Sequence, residues 1–347
     1  MKAVVLCEGH FADANGKTAH GLVRYGERFS VQAVIDSTLA GRDAGEVLDG
    51  KRRGIPIVAS LAEAPIAECL IVGVATDGGR LPPAYRAVLL DALARGLHLV
   101  CGLHEKLNDD PEIVALAKAK GLTLEDARAT PPIEEMHFFT GEIEEVGCPT
   151  IAVLGTDSAI GKRTTARLLV QGLREAGRHA VFVGTGQTAR LQGARYGLIL
   201  DRIPNDFLTG EIEHQVVRAW REEKPDFIVI EGQGGITHPA YPGGYEIICG
   251  ARVKGVVLMH APGRATLDGF PQYPMEDPER AVRICELMSG HPIAGLALNH
   301  EGLDHAVMGR IAREYQARFD VPVCDPLWDG VTPLVEGLCD RFPRSRA

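Results

Sequence analysis

A strand, a glycine-rich turn and a helix follow one another in "IAVLGTDSAIGKRTTARLLVQGL", residues 151–173. The apolar start is typical of a buried strand, and the later leucines lie on one side of a helix. Between them, the turn "GTDSAIGK" directs successive backbone N–H groups into one concavity, where the helix dipole and Lys162 add positive charge. The segment therefore predicts a phosphate-binding loop at the first strand-to-helix turn of an α/β domain.

This turn differs in two ways from the standard loop of nucleotide-cleaving enzymes. Five residues separate Gly155 from Gly161, where the standard loop has four. Arg163 takes the place of the serine or threonine that binds Mg²⁺ beside the β- and γ-phosphates. Thr164 follows one residue later, rotated by roughly 100° around the helix, so we expect no metal in the usual place. These features favour a loop that holds a phosphorylated cofactor intact, with ATP and Mg²⁺ as the alternative.

A second candidate site lies at the end of the apolar strand in "DFIVIEGQGGITHPAY", residues 226–241. Glu231 ends this strand, and ligands of α/β proteins bind outside the carboxyl ends of parallel strands. His238 follows within the same turn, so both side chains are candidate proton acceptors. The alternative is structural: Glu231 positions the loop, and His238 satisfies a backbone carbonyl.

Polar residues also follow three other apolar strands. Arg264 comes after "VVLMH" and is either a ligand for a carboxylate or a surface charge. Asn299 and His300 end the strand in "LALNHEG", a pattern that suggests recognition of a base or an amide. The turn in "VFVGTGQTARL" has three side chains that either bind a substrate or cofactor or form a plain turn: Thr185, Gln187 and Thr188.

The rest of the chain alternates strands and helices, which predicts parallel sheets covered by helices on both faces. Its 347 residues suffice for two domains of ordinary size. We predict an α/β fold with a Rossmann-like doubly wound domain at 1–130, a connector rich in Pro and Glu at 131–149, and a P-loop domain with a parallel sheet at 150–347. The first domain lacks a G-x-G-x-x-G fingerprint, so nothing in it indicates NAD.

Composition narrows the class of partner. The net charge is -9 without a clustered basic block, which argues against binding to nucleic acids and membrane surfaces. The eight cysteines form no C-x-x-C pair, so we expect no zinc site or iron–sulfur cluster. No apolar run reaches the length of a membrane span, and the first residues lack the pattern of a signal peptide. These features predict a cytoplasmic protein with a small-molecule substrate, while a homo-oligomer stays open.

Taken together, the motifs resemble one family of two-domain P-loop proteins. They are "GTDSAIGKRTTA", "GTGQT", "EGQGGITHPAY", and "HAPGR" with "GFPQYP". The resemblance spans essentially the whole chain and implies a Rossmann-like N-terminal domain and a P-loop C-terminal domain. One branch of the family implies a D-amino-acid N-acetyltransferase that acts on D-glutamate with acetyl-CoA. The loop is also locally similar to dethiobiotin synthetases, so the alternatives are an ATP-dependent kinase or ligase and a non-catalytic nucleotide- or CoA-binding regulator.

The resemblance also implies roles for single residues. Either Glu231 or His238 would remove a proton from the ammonium of the acceptor, and Arg264 or Arg190 would hold its α-carboxylate. The chain has Gly235 where the family pattern has serine. The residues that would bind the phosphates of the cofactor are Gly155, Thr156, Asp157, Ser158, Gly161, Lys162, Arg163, Thr164 and Thr165. Those that would bind the substrate are Thr185, Gln187, Thr188, Gln233, Tyr241 and Arg264.

Overall fold

A computed structural model describes residues 1–344, which form two compact units. The first unit contains Met1–Thr130 together with Gln187–Ala194. The second contains Pro131–Gly186 and the rest of the chain from Arg195. Among residues 1–344, no helix combines the length and the apolar character that crossing a membrane requires.

The first unit contains a parallel sheet, as the alternating pattern predicts, and its six strands lie in the order β3-β2-β1-β4-β5-β6. Its two central strands, β1 and β4, are almost wholly buried because helices cover both faces of the sheet. The strands are β1 Lys2–Leu6, β2 Ser30–Ile35, β3 Ile57–Val58, β4 Cys69–Val72, β5 His98–Cys101 and β6 Leu124–Asp126. The helices are α1 Lys17–Arg24, α2 Ala44–Asp49, α3 Pro83–Ala94 and α4 Pro111–Lys120.

The second unit is a seven-stranded parallel sheet in the order β15-β14-β11-β7-β10-β8-β9, with a separate antiparallel pair, β12 and β13. The strands are β7 Thr150–Gly155, β8 Ala180–Gly184, β9 Tyr196–Gly197, β10 Phe227–Glu231, β11 Gly255–His260, β12 Thr266–Leu267, β13 Phe270–Pro274, β14 Gly295–Leu298 and β15 Val323–Cys324. The helices are α5 Lys162–Glu175, α6 Gln187–Gln192, α7 Asn205–Glu223, α8 Tyr245–Gly250, α9 Glu279–Ser289, α10 His305–Phe319 and α11 Thr332–Arg341. Of these helices, α6 belongs to the first unit.

Strand β7 lies in the middle of this sheet and is buried along its whole length. It pairs with β10 on one side, where Glu231 lies opposite Val153, and with β11 on the other, where Met259 lies opposite Gly155. Because all three strands run parallel, their carboxyl ends meet at one edge of the sheet. The turn after β7 therefore lies between Glu231 and His260, at the edge where ligands of α/β proteins bind.

The segment 131–149, which the sequence assigns to a connector, belongs to the second unit. Two buried glutamates of α7 hold it. Glu211 accepts a hydrogen bond from the backbone N–H of His137 at 2.6 Å, and Glu213 accepts from those of Thr140 at 2.6 Å and Ile143 at 3.1 Å. The two carboxylates of α7 thus satisfy backbone N–H groups of segment 131–149. For this reason the Pro- and Glu-rich segment packs on the unit that follows it in the chain.

Candidate functional site

The turn between β7 and α5 leads into the N-terminus of that helix. Gly161 caps α5 with a φ of 103° and offers no side chain to the first-turn N–H groups of the helix. Ala159 has a φ of 51°, an uncommon value for a residue with a Cβ and one that is frequent at functional sites. The first-turn N–H groups of a helix have no partner within the helix, so this end of α5 is suited to binding an anion.

Side chains bond to four consecutive carbonyl oxygens of the turn. Lys162 Nζ donates to the carbonyl of residue 157 at 2.6 Å. Arg264 donates to the carbonyls of residues 158 and 159, at 3.0 and 3.4 Å. Asn299 Nδ2 donates to the carbonyl of residue 160 at 3.1 Å. These four carbonyl oxygens are therefore satisfied by side chains of α5 and of the segments after β11 and β14.

A buried ion pair fixes the same turn. The Asp157 side chain is fully buried, and its Oδ2 lies 2.7 Å from Nη1 of Arg264, whose side chain is only 10% exposed. Asp157 also accepts hydrogen bonds from the backbone N–H groups of Ser158 at 2.7 Å and Asp268 at 3.1 Å. Arg264 in turn bonds Glu301 at 2.7 Å. The structure thus engages Arg264 in holding the loop, whereas the sequence suggests that it binds a substrate carboxylate.

The hydroxyl groups of the loop bond to neighbouring elements. Thr156 Oγ1 lies 3.0 Å from Nδ1 of His260, and burial lowers the pKa of His260 to about 4, so this histidine is neutral near pH 7. Ser158 Oγ donates to Asp268 at 2.9 Å, and Thr165 Oγ1 donates to Met259 Sδ at 3.0 Å. Thr164 is half-buried in the first turn of α5. Through these hydroxyls, the loop and the first turn of α5 are bonded to β11 and to the segment that follows β11.

Two cations stand at the start of α5. Lys162 is buried, and Arg163 Nη1 lies 3.7 Å from Oε1 of Glu231 with 19% of the arginine side chain exposed. Both charges lie at the positive end of the helix dipole, beside first-turn N–H groups. This combination of cations and backbone donors fits a diphosphate.

Glu231 is the buried acid at the end of β10. It is 3% exposed, and Oε2 accepts a hydrogen bond from the backbone N–H of Thr185 at 3.0 Å. Thr185 Oγ1 donates to the carbonyl of Glu231 at 2.9 Å and accepts from Gln233 Nε2 at 2.9 Å. Burial raises the pKa of Glu231, while the positive charge of Arg163 opposes that shift. A carboxylate with a raised pKa is a stronger proton acceptor than an exposed one.

His238 has a different environment. Its Nδ1 accepts hydrogen bonds from the backbone N–H groups of Ala240 at 3.2 Å and Tyr241 at 2.9 Å. The remaining ring proton is then on Nε2, which lies 3.4 Å from Asp157 Oδ1 without forming a hydrogen bond. Burial lowers the pKa of His238, which keeps the ring neutral. The geometry favours the structural alternative, with backbone amides rather than a carbonyl as the partners of the ring.

The remaining predicted residues are divided between the units. Tyr241 is 45% exposed and its ring lies 5.2 Å from that of His238, in the second unit. Gln187 and Thr188 belong to the first unit, where Thr188 Oγ1 lies 3.2 Å from Thr18 Oγ1.

The sequence did not indicate that Asp157, Arg264 and Glu301 are linked, because long-range ion pairs leave no local pattern.

Gly235 brings the turn after β10 against the phosphate loop. The backbone N–H of Ile236 donates to the carbonyl of Gly155 at 2.9 Å. A Cβ added to Gly235 would lie 2.8 Å from the carbonyl carbon and oxygen of Thr156, and 2.9 Å from the backbone nitrogen of Asp157. In this chain the position has no room for the serine of the family pattern, since backbone rather than a flexible side chain occupies the space.

Both halves of the chain match known domain families. Residues 137–335 match the profile described as "Domain of unknown function (DUF1611_C) P-loop domain". Residues 37–130 match the profile described as "Domain of unknown function (DUF1611_N) Rossmann-like domain".

Three proteins are similar over most of their length. A D-glutamate N-acetyltransferase of Tritonibacter scottomollicae is 30% identical over 289 residues, which cover 80% of this chain and 83% of that protein. A D-glutamate N-acetyltransferase of a Pseudoalteromonas species is 28% identical over 279 residues, covering 79% and 82%. The crystal structure of a DUF1611 family protein from Anabaena variabilis is 29% identical with a TM-score of 0.89, covering 98% of this chain and 99% of that one.

We predict that Gly235→Ala displaces the phosphate loop and lowers the free energy of unfolding by about 1–3 kcal/mol, as overpacking against backbone does. The matched control is Gly309→Ala in α10, where an added Cβ meets only the Arg313 side chain at 3.6 Å. This control should leave stability unchanged or slightly raised, because alanine favours helix. Denaturant unfolding checks both variants. Equal stability of the two variants would show that the turn has room for a side chain.

Proposed function

We propose that this chain, which belongs to the DUF1611 family, is an N-acetyltransferase. It moves the acetyl group of acetyl-CoA to the amine of a D-amino acid such as D-glutamate. Two relatives are named D-glutamate N-acetyltransferase and match about four fifths of the chain, which supports this class of reaction. The observation that supports the proposal most is structural: a cationic, donor-lined phosphate loop lies directly beside a buried carboxylate.

The loop residues fit the phosphates of coenzyme A. A diphosphate takes hydrogen bonds from the first-turn N–H groups of α5 and charge from Lys162 and Arg163. Arg163 in place of the magnesium-binding hydroxyl suits a diphosphate that stays intact. Bound acetyl-CoA supplies the thioester, and the loop has only to hold it.

Glu231 has the properties that the proton transfer needs. An amino acid is an ammonium ion near pH 7, and only its free amine is a nucleophile. The carboxylate of Glu231 takes the proton, and the amine nitrogen then bonds to the thioester carbonyl carbon. The C–S bond breaks, and the second proton lost by the amine nitrogen passes to the thiolate, so coenzyme A leaves as the free thiol. The backbone N–H of Thr185 holds the carboxyl group in place, and Gln233 Nε2 donates to the hydroxyl of Thr185.

Arg163 links the phosphate loop to this carboxylate. In the structure, its guanidinium lies 3.7 Å from Glu231 and lowers the pKa of that carboxyl. A phosphate that draws Arg163 away weakens this effect, so Glu231 becomes more basic once the cofactor is bound. Cofactor binding and proton abstraction are thereby coupled through one side chain.

We predict that Glu231→Gln lowers kcat by about 10²–10⁴-fold, because it removes the proton acceptor, and leaves KM for acetyl-CoA nearly unchanged. His238→Asn should stay near the wild-type rate, since the Asn oxygen can accept from the amides of residues 240 and 241 in place of Nδ1. Release of free thiol from acetyl-CoA, measured with a panel of D- and L-amino acids, checks both variants.

Loss of activity in His238→Asn with an active Glu231→Gln would assign the base to His238. A wild-type protein that releases no thiol with any amino acid would contradict the acetyltransferase proposal and favour a regulator. Cleavage of ATP in the presence of Mg²⁺ would favour the kinase or ligase alternative.

We also predict a specific pH dependence. The rate should rise with pH through the raised pKa of Glu231, because only the deprotonated carboxylate accepts a proton. Arg163→Gln removes a cation that lowers this pKa in the cofactor-free enzyme, so the acidic limb of log kcat/KM for acetyl-CoA against pH should move to higher pH. Arg174→Gln, at the far end of α5, is the control and should leave the limb in place. An unmoved limb in Arg163→Gln would contradict the coupling.

A further inference from the structure

A stack of aromatic rings lies at the carboxyl ends of β14 and β15, apart from the groups discussed so far. The ring centroids of His300 and Trp328 are 3.9 Å apart, with planes 5° from parallel. His305 also stacks on Trp328, at 5.1 Å and 16°. Trp328 keeps 39% of its surface exposed, so the stack presents aromatic surface to solvent.

One buried acid holds this stack in place. Asp325 is 2% exposed, and its Oδ2 lies 2.7 Å from Nδ1 of His300. Its Oδ1 accepts hydrogen bonds from the backbone N–H groups of Leu327 at 2.9 Å and Trp328 at 3.1 Å. The same carboxylate therefore positions the imidazole and the backbone of the indole, so the surface is preorganised for a planar ligand.

The stack is tied to the phosphate loop through its neighbours in the chain. Asn299 donates to the carbonyl of Ile160 in the loop. Glu301 bonds Arg264, which binds the two preceding carbonyls of the loop. His300 lies between these two anchoring residues. Both ends of the Asn299 side-chain amide are engaged, because its oxygen accepts a hydrogen bond from the Glu301 backbone N–H. Asn299 therefore holds the loop, and the aromatic rings of His300, Trp328 and His305 are the groups that can contact a ligand.

We propose that this platform, formed by His300, Trp328 and His305, binds the adenine ring of the ligand whose diphosphate occupies the loop. Adenine stacks on aromatic side chains through its π-face. The side chain of His305 is 72% exposed and stacks at the wider spacing, so it can move aside for the base. This proposal rests on the proposed function in one respect: the ligand of the loop must carry an adenosine diphosphate group. Coenzyme A and ATP share that group.

A tryptophan reporter can test the platform in the full chain. The chain has two tryptophans, so Trp220→Phe leaves Trp328 as the single source of indole fluorescence. Saturating ADP or coenzyme A should change this fluorescence, whereas inorganic pyrophosphate should bind with little change. In calorimetry, Trp328→Leu should weaken the binding of ADP and of coenzyme A by about tenfold. The affinity for pyrophosphate should stay within about twofold of the wild-type value. Trp328→Tyr keeps an aromatic face and should restore most of the affinity.

Unchanged affinity for ADP and coenzyme A in Trp328→Leu would overturn the platform, and so would an equal loss for pyrophosphate. Failure of the wild-type protein to bind ADP would overturn it as well. If binding depends on Trp328, tighter binding of acetyl-CoA than of ADP identifies coenzyme A as the source of the adenine, and tighter binding of Mg-ATP identifies ATP. Absence of thiol release, with Trp328-dependent ADP binding intact, would contradict the acetyltransferase proposal alone.

Discussion

The shape of the phosphate loop depends on the buried ion pair between Asp157 and Arg264. The loop is one residue longer than the standard form, so it has additional backbone whose carbonyls must be kept out of the anion site. Arg264 binds two of those carbonyls and is itself neutralised by Asp157. Removing one partner of a buried pair typically costs about 3–5 kcal/mol, because the other charge is left without compensation. The lengthened loop is therefore held in shape by side chains from outside it.

This arrangement divides the positive charges of the site between two tasks. Arg264 and Lys162 donate to carbonyls of the loop, while Arg163 stands beside Lys162 at the start of α5. Arg163 also reaches Glu231, which β10 places beside the loop strand in the register of a parallel pair. The sheet topology thus brings the buried carboxylate of Glu231, the proposed proton acceptor, within 3.7 Å of Arg163. In the proposed reaction, the loop would hold the cofactor while Glu231 takes the proton next to it.

The sequence predicted both parallel sheets, the phosphate loop and the acid at the end of β10, because apolar strands and glycine turns leave strong local patterns. It did not predict that Arg264 belongs to the loop, since its partner Asp157 lies more than 100 residues away in the chain. It also did not predict α6, because a six-residue helix is too short to show periodicity. The role of His238 stayed open for a related reason: which ring nitrogen meets a backbone amide is decided only by the folded turn.

The proposed function requires that the loop after β7 hold the diphosphate of acetyl-CoA and leave it intact. The most direct measurement is a crystal structure of the protein with acetyl-CoA. We expect the diphosphate to lie against the first-turn N–H groups of α5, within hydrogen-bond distance of Lys162 and Arg163, with every phosphate still present. A diphosphate bound elsewhere in the protein, with this loop empty, would contradict it.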